Sequence, residues 1–383
     1  MRFHPWIFSG AIHHMDKDIN EGDVVNVVDE QGHFIAVGHY QQGSIAVRVL
    51  TFSQVDIDHQ YWVSRLQSAY DMRKHIGLAG NPNTNAFRLV HGEGDHLPGL
   101  IIDIYGTTAV MQAHSIGMHL ARKAIAQALK EVMTDAIDSI YYKSETTLPF
   151  MEPENGFLLG NSDNNIAIEN GLRFYVDWLR GQKTGFFVDQ RENRALLEKY
   201  AHNRHVLNMF CYTGGFSFYA MRGGAALVHS VDSSAKAIEL TKRNVELNFP
   251  DDPRHQAFCE DAFKYLKRIS LTSYPSPLTT YDLIILDPPA FAKHRGALHN
   301  ALKGYTRLNQ KAFEKIARGG ILFTFSCSQV VTKDHFRNAV FTAAAQARRK
   351  VRILHQLHQP ADHPINIYHP EGEYLKGLVL YVE

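Results

Sequence analysis

Two stretches of sequence decide the fold of this chain: Tyr281-Asp-Leu-Ile-Ile-Leu-Asp287-Pro288-Pro289-Ala-Phe291-Ala-Lys293 and Gly319-Gly-Ile-Leu-Phe-Thr-Phe-Ser326-Cys327-Ser328. Each is an apolar, β-prone run that stops at a small polar signature, and roughly one helix of sequence separates them. This layout predicts two parallel strands joined by a crossover helix. Ligands of open α/β sheets collect outside the carboxyl ends of the strands, so Asp287 and Cys327 are expected on one rim.

Composition sets the broad class. With 383 residues, of which 45% are apolar and 21% charged, the chain predicts a globular protein of two or three domains. No apolar run reaches the length of a membrane span, and no signal segment is recognisable at the N-terminus, so a cytoplasmic protein is expected. The three cysteines, Cys211, Cys259 and Cys327, have the spacing of neither a disulfide framework nor a zinc site. We therefore expect free thiols and no metal, with Cys211 and Cys259 buried.

Charge is unevenly distributed along the chain. The net charge is only +1, yet residues 290–352 carry 13 Lys or Arg against two acidic residues. A basic segment around a predicted active site is typical of a polyanionic substrate such as RNA. A solvated helix face followed by a basic tail is the alternative explanation.

Sequence patterns divide the chain into four parts. Residues 1–54 alternate as short strands with turn residues between them and predict a β-rich module. Residues 55–82 carry helical periodicity and predict a linker helix, and residues 83–160 predict an α+β unit. Residues 161–383 predict a hairpin, regular βα alternation and a closing antiparallel pair of strands, which together indicate a doubly wound α/β sheet.

A nucleotide-type ligand is predicted at the first strand ends of this last part. A Gly-rich turn containing Gly214 follows the first strand and lets the backbone approach a ligand closely. Asp232, at the tip of the next strand, is placed to accept both ribose hydroxyls, and Asp261, at the tip of the third, to accept from an adenine amino group. The loop ending at Gln190 and Arg191 precedes a helix N-terminus, which favours an anionic group. NAD is the alternative ligand, but Gly-x-Gly-x-x-Gly is absent, and S-adenosyl-L-methionine fits best.

A thiol and a carboxylate at neighbouring strand ends suit methylation of a pyrimidine carbon. A thiolate that adds at C6 makes C5 nucleophilic, and a base then removes the C5 proton. Cys327 is the predicted nucleophile and Asp287 the candidate base. The rigid Pro288-Pro289 backbone presents carbonyls to a base edge, and Phe291 is predicted to stack on an extruded base. Burial of Cys327 as a small hydrophobe, and Asp-Pro-Pro as a mere strand terminator, are the structural alternatives.

Five motifs in order resemble one family, over nearly the whole chain: His4-Pro-Trp-Ile-Phe-Ser-Gly10, Lys183-Thr-Gly-Phe-Phe-Val-Asp-Gln-Arg191, Asn208-Met-Phe-Cys-Tyr-Thr-Gly-Gly-Phe216, Asp287-Pro-Pro-Ala-Phe291 and Ser326-Cys-Ser328. They are similar to ribosomal RNA large subunit methyltransferase I, whose members make 5-methylcytosine in 23S rRNA. The resemblance implies an N-terminal PUA domain, a central α+β domain and a C-terminal class I methyltransferase with a Rossmann-like, seven-stranded sheet.

The resemblance also implies roles for individual residues. It makes Cys327 the nucleophile. The expected contacts of S-adenosylmethionine are Gln190, Arg191, Phe210, Tyr212, Thr213, Gly214, Asp232, Ser233, Asp261, Ala262, Asp287 and Pro288, and those of the RNA are Pro289, Phe291 and Lys293. Other RNA cytosine-C5 enzymes place a second cysteine where this chain has Ala290, so release of the product is assigned to another base, with Asp287 as candidate.

The implied partners are 23S rRNA, a precursor of the large ribosomal subunit and a second copy of the chain in a homodimer. Two alternatives stay on the same fold: a uridine-C5 methyltransferase would use the same thiol, and a guanine-N methyltransferase would need none. A third alternative, of another class, is a non-catalytic RNA-binding or ribosome-assembly protein that does not bind S-adenosylmethionine.

Overall fold

The computed structural model describes residues 3–148, 151, 154–269 and 280–383. They fall into two compact units, one of Met1–Asp189 with Pro360–Gly372 and one of Gln190–Gln359 with Glu373–Glu383. Small parts of the four predicted segments, such as residues 270–279, lie outside the described residues. The predicted segment boundaries stay predictions.

The first unit begins with a four-stranded antiparallel sheet in the order β1-β4-β3-β2. Its strands are β1 (Trp6–Phe8), β2 (Val24–Val28), β3 (Phe34–Tyr40) and β4 (Ile45–Thr51). Helix α1 (His59–His75) follows, and its first turn is capped by Asp58, whose side chain accepts from the Tyr61 N–H at 2.9 Å. The β-rich module and the helix predicted after it are therefore both present.

A five-stranded sheet completes most of the first unit, in the order β5-β6-β7-β8-β9. Its elements are β5 (Ala86–His91), β6 (Leu100–Tyr105), β7 (Thr108–Ala113), α2 (Ile116–Met133), β8 (Ser139–Tyr142) and β9 (Gly156–Leu159). The predicted hairpin forms next, from β10 (Ile166–Glu169) and β11 (Leu172–Tyr175), and clusters with this unit.

A fully buried arginine ties the first unit together. Arg73 donates to Asp95 Oδ2 at 2.8 Å, to the Arg88 carbonyl at 2.8 Å and to the Asp362 carbonyl at 2.8 Å. A buried guanidinium needs such partners, because an unpaired charge in the interior costs several kcal/mol. The segment Pro360–Gly372 thus supplies part of the interior of the first unit.

The second unit alternates helices and strands around one seven-stranded sheet. Its elements are α3 (Arg191–Glu198), β12 (His205–Met209), α4 (Gly215–Arg222), β13 (Leu227–Asp232), α5 (Ala235–Asn248), β14 (His255–Cys259), α6 (Ala262–Arg268), β15 (Tyr281–Leu286), α7 (Leu298–Lys315), β16 (Ile316–Ser326), α8 (Lys333–Gln346), β17 (Val351–Leu357) and β18 (Lys376–Val382).

The strand order is β14-β13-β12-β15-β16-β18-β17, in which only β18 runs antiparallel to its neighbours. Leu207, Ile284 and Leu322 are fully buried on the central strands, because helices cover both faces of a mostly parallel sheet. The order reverses between β12 and β15, and a ligand crevice forms at such a switch point. The predicted α/β class, the closing antiparallel pair and the seven strands are confirmed.

Within the described part of the chain, no helix combines the length and the apolar character needed to cross a bilayer.

Candidate cofactor and catalytic site

The turn after β12 departs strongly from ordinary backbone geometry. Phe210, Tyr212 and Gly214 have φ values of 58°, 48° and 85°. A non-glycine residue in this region costs about 1–2 kcal/mol, so two of them within three positions store strain. Such strain is typical of a turn that brings backbone groups up to a ligand.

Glycine is required at the third of these positions. A Cβ on Gly214 would lie 2.6 Å from the Phe218 ring and 2.8 Å from Thr241 Cγ2. Gly214 therefore closes the turn against α4 and α5, and Thr213 beside it is buried, with its carbonyl accepting from Asn244 Nδ2 at 3.2 Å.

The carboxylate of Asp232 braces this turn from the end of β13. Its Oδ2 accepts from the Tyr212 N–H at 3.0 Å and its Oδ1 from the Ser234 N–H at 2.9 Å. Asp232 is half-buried and Ser233 is exposed. Each carboxylate oxygen can accept a second hydrogen bond, so Asp232 can hold the turn and still receive ribose hydroxyls.

Asp261 lies at the end of the third strand and caps α6. Its Oδ1 accepts from the Lys264 N–H at 3.0 Å, and Asp261 itself is exposed while Ala262 is buried. A capping carboxylate has spare acceptor capacity, so this position is compatible with the adenine contact predicted from the sequence.

Gln190 links the start of α3 to the end of β15. Its Nε2 donates to Asp287 Oδ2 at 3.1 Å, and its Oε1 accepts from Asn193 Nδ2 at 2.6 Å. Gln190, Arg191 and Asn193 are all buried. The predicted cofactor loop and the predicted base are thus brought together, with Asn193 fixing which way the amide of Gln190 points.

The Asp287-Pro-Pro segment turns outward from the sheet. Pro288 is buried, whereas Pro289 and Lys293 are exposed. Phe291 is half-buried and packs on Tyr305 of α7 with ring centroids 4.6 Å apart. A Cβ on Gly304 would lie 3.0 Å from the Phe291 ring, so this aromatic ring already has a packing role on one side.

Both neighbours of Cys327 are anchored, and Cys327 itself is half-buried. The Ser326 hydroxyl donates to the Tyr305 oxygen at 2.9 Å, and the Ser328 hydroxyl donates to the Ala292 carbonyl. Burial, aided by the nearby charges of Cys327 and Asp287, raises the pKa of Tyr305 to about 12, so the phenol stays protonated. Because β15 pairs with β16, Asp287 and Cys327 follow neighbouring strand ends, as predicted.

The two other cysteines differ from each other. Cys211 is buried, and burial raises the pKa of its thiol, as expected for a structural cysteine. The predicted burial of Cys259 is wrong, because Cys259 is exposed. It ends β14, which among the described residues is an edge strand with one neighbour, and the sequence does not reveal which strand takes the edge.

Three supporting residues escape prediction from sequence: Asn193, Tyr305 and Lys376. Their local patterns are those of ordinary helix and strand positions. A faint signal exists only at Lys376, a lone cation that opens the apolar run Lys376–Val382. The site as a whole fits S-adenosylmethionine, because a strained turn with an obligatory glycine and two carboxylates with spare acceptor capacity line the first three strand ends.

Comparison with known proteins agrees with this geometry. Residues 155–371 match the family of S-adenosylmethionine-dependent methyltransferases, and residues 1–52 match the PUA-like domain. The chain is 39% identical to ribosomal RNA large subunit methyltransferase I of Alteromonas mediterranea, over 100% of this chain and 95% of that protein. It is 40% identical to the protein of the same name from Tolumonas auensis, over 99% of this chain and 96% of that protein.

Among solved structures, the chain is similar to SMU.776, which is described as a methyltransferase and was solved with S-adenosylhomocysteine. The TM-score is 0.85 and the sequence identity is 25%, over 99% of this chain and 96% of that chain. The expected cofactor and the PUA-like N-terminal domain are confirmed. The chain therefore belongs to the ribosomal RNA large subunit methyltransferase I family of S-adenosylmethionine-dependent methyltransferases.

Proposed function

We propose that this protein methylates C5 of a cytosine in 23S rRNA of the large ribosomal subunit through a covalent bond between Cys327 and C6 of the base. One observation carries the proposal. A half-buried thiol, flanked by two anchored serines, follows β16, and the carboxylate of Asp287 follows β15, the neighbouring parallel strand. N-methylation would have no use for a thiol held in this way.

The reaction needs a nucleophile, a methyl donor and a base. The Cys327 thiolate adds to C6, and the electron pair displaced from the C5–C6 double bond makes C5 nucleophilic. S-adenosylmethionine, when bound, supplies an electrophilic methyl group to C5. A base then takes the C5 proton, and the electron pair of that C–H bond restores the double bond as the thiolate leaves C6.

We assign removal of the C5 proton to Asp287. Its Oδ2 accepts from Gln190 Nε2 at 3.1 Å, which orients the carboxylate at the end of β15. This chain has Ala290 where other RNA cytosine-C5 enzymes place a second cysteine. Asp287, three residues earlier at the same strand end, is therefore the carboxylate that we assign to this step. Pro289 and Lys293, both exposed, are the proposed first contacts of the RNA on the same segment.

The RNA substrate is supported by charge and by relatives. The basic segment 290–352 includes α7 and α8 and directly follows Asp287-Pro-Pro. Polyanion binding through such a surface is strengthened by counterion release. The relatives named above are methyltransferases of large-subunit rRNA by name. We infer the same substrate here, in the cytoplasm where bacterial ribosomes are built.

The test is methyl transfer from labelled S-adenosylmethionine to unmodified 23S rRNA, followed by nucleoside analysis. Wild type should place label in 5-methylcytidine, and Cys327→Ala should lose at least about a thousandfold in rate, because the nucleophile is gone. Cys259→Ser, which changes an exposed thiol of the same unit, is the matched control and should retain activity.

Three outcomes would each contradict part of the proposal. Label in 5-methyluridine would keep the thiol chemistry and change the base, whereas activity that survives in Cys327→Ala would favour N-methylation. Absence of S-adenosylmethionine binding in calorimetry would favour a non-catalytic ribosome-assembly protein. Assays on naked rRNA and on precursor particles, with light scattering for a homodimer, test the remaining predicted partners.

A further inference from the structure

Lys376 is a buried cation beside the proposed nucleophile. It is only 4% exposed, although lysine is rarely buried in proteins. It opens β18, and in the antiparallel pairing of β16 with β18 it lies directly opposite Ser326, the residue before Cys327. The register of two strands thus places an ammonium next to the Ser326–Ser328 turn.

The ammonium holds this turn through backbone oxygens. Lys376 Nζ donates to the Ser328 carbonyl at 2.6 Å and to the Tyr374 carbonyl at 2.7 Å. Both acceptors are neutral, so these bonds satisfy two of the three N–H donors without cancelling the positive charge. A buried cation with neutral partners attracts any anion that forms nearby more strongly than it would in water.

Several charged or titratable groups act on Lys376. Burial lowers the pKa of Lys376 to about 8, while attraction to Cys327 and Glu373 opposes the fall and repulsion from Lys333 adds to it. Lys333 and Glu373 form an ion pair with each other, so their effects on Lys376 largely offset. Cys327 and Asp287 both act on Tyr305, which is a neutral phenol at neutral pH. Cys327 is the group acting on Lys376 whose charge changes during the proposed reaction.

We propose that Lys376 is a positioning residue for Cys327, which fixes the Ser326–Ser328 turn through the Ser328 carbonyl and stabilises the thiolate of Cys327 with its positive charge. This rests on the proposed function of Cys327 as nucleophile. At neutral pH, Lys376 keeps its proton throughout the reaction. It neither gives a proton to the cytosine nor takes one from it. Its contribution is to raise the fraction of thiolate at neutral pH.

The test measures the thiol itself, without RNA or cofactor. Iodoacetamide is reacted with the full-length protein between pH 6 and 10, and peptide mass spectrometry follows each cysteine separately. In Lys376→Met, which keeps length and removes charge, the pH midpoint for Cys327 should rise by about one unit or more, because a nearby opposite charge lowers a pKa by about 1–3 units. Lys376→Arg should stay near the wild-type midpoint.

Each protein contains its own controls. The pH midpoint of exposed Cys259 should be the same in wild type and in all variants. Buried Cys211 should stay unreactive as long as the fold is intact. If Cys211 reacts in Lys376→Met, the comparison is made between Lys376→Gln and Lys376→Arg. A Cys327 midpoint that is equal in the charged and uncharged variants overturns the proposal.

Methyl transfer separates this proposal from the proposed function. Lys376→Met should shift the rising limb of the pH–rate profile upward along with the Cys327 midpoint. An unshifted Cys327 midpoint in an active cytosine methyltransferase removes Lys376 from the mechanism and leaves the function standing. If the Cys327 midpoint shifts in Lys376→Met but the wild-type protein labels no cytosine, Lys376 acts on the thiol as proposed and the proposed function is wrong.

Discussion

The turn at 210–214 and the turn at 326–328 both follow buried strands on one rim of the same sheet, but they are held in different ways. The first contains three left-handed residues and is braced by Asp232, which is 20 residues away from Tyr212. The second is anchored by Tyr305, 21 residues before Ser326, and by Lys376, 48 residues after Ser328. The first turn therefore combines backbone strain with one bracing carboxylate, whereas the second is held by side chains of a helix and of another strand.

The two halves of the sheet also differ in the charge of their buried polar groups, where the first side is β12, β13 and β14 below the first turn and the second side is β15, β16 and β18 below the second turn. On the first side, burial lowers the pKa of His229 and of His255 to about 4, so both rings are neutral at pH 7. His255 bonds to Ser230 at 2.8 Å, and Ser230 bonds to Ser217 of α4 at 2.7 Å. On the second side the support is a lysine with a pKa of about 8. Acid should therefore weaken the first side, and alkali should uncharge the second.

The largest effect is expected at Asp287, the proposed base at the end of β15. Asp287→Asn should lower the maximal rate of methyl transfer at saturating S-adenosylmethionine by about 10² to 10⁴-fold, the usual contribution of a general base. Asp282→Asn, on the same strand at its opposite end, is the matched control and should keep its rate, since the Asp282 side chain accepts from the His205 N–H, away from the proposed site. An Asp287→Asn enzyme that turns over normally would remove Asp287 from this role.

The strained turn offers the next test. Gly214→Ala should lower the free energy of unfolding by about 2–4 kcal/mol, because left-handed backbone and contact with Phe218 act together. It should also weaken binding of S-adenosylhomocysteine in calorimetry. Gly319→Ala shares the positive φ of 77° but meets nothing nearer than 3.6 Å, so it should cost only about 1–2 kcal/mol. Equal losses in the two variants would show that the close packing at Gly214 is unimportant.

The smallest effect concerns acid stability of the first side. Because the folded protein holds His255 with a pKa of about 4 against 6.5 in the unfolded chain, the unfolded chain binds the proton first as pH falls. Stability is thus full above about pH 6.5 and declines toward pH 4, by at most about 1.4 kcal/mol per pH unit for one histidine.

Between pH 6.5 and 5, the free energy of unfolding measured with urea should fall by about 1–2 kcal/mol less in His255→Gln than in wild type. The control is His299→Gln, at an exposed position on α7, which should lose as much stability in acid as wild type. An acid loss that is unchanged in His255→Gln would argue against a neutral histidine supporting β13 and β14.

Much of this architecture is predictable from sequence, because the relevant signals are local. The apolar runs that end at Asp232, Asp287 and Ser326 each predict a strand and its rim residue without knowledge of any partner. The positions of Tyr305 and Lys376 depend instead on which helix and which strand pack against β16. The burial of Cys259 was wrongly predicted for the same reason, since the edge of a sheet is set by the order of all its strands.

Strand β18 is inserted between β16 and β17, although both are earlier in the chain. On a ribosome, Cys327 therefore leaves the exit tunnel well before the strand that carries Lys376, and β16 has an open edge during that interval. If Lys376 acts as proposed, a half-made chain contains this thiol mainly in its protonated, unreactive form. The nucleophile would then be switched on only by insertion of the last strand, so that synthesis order itself protects the nascent enzyme from alkylation and oxidation.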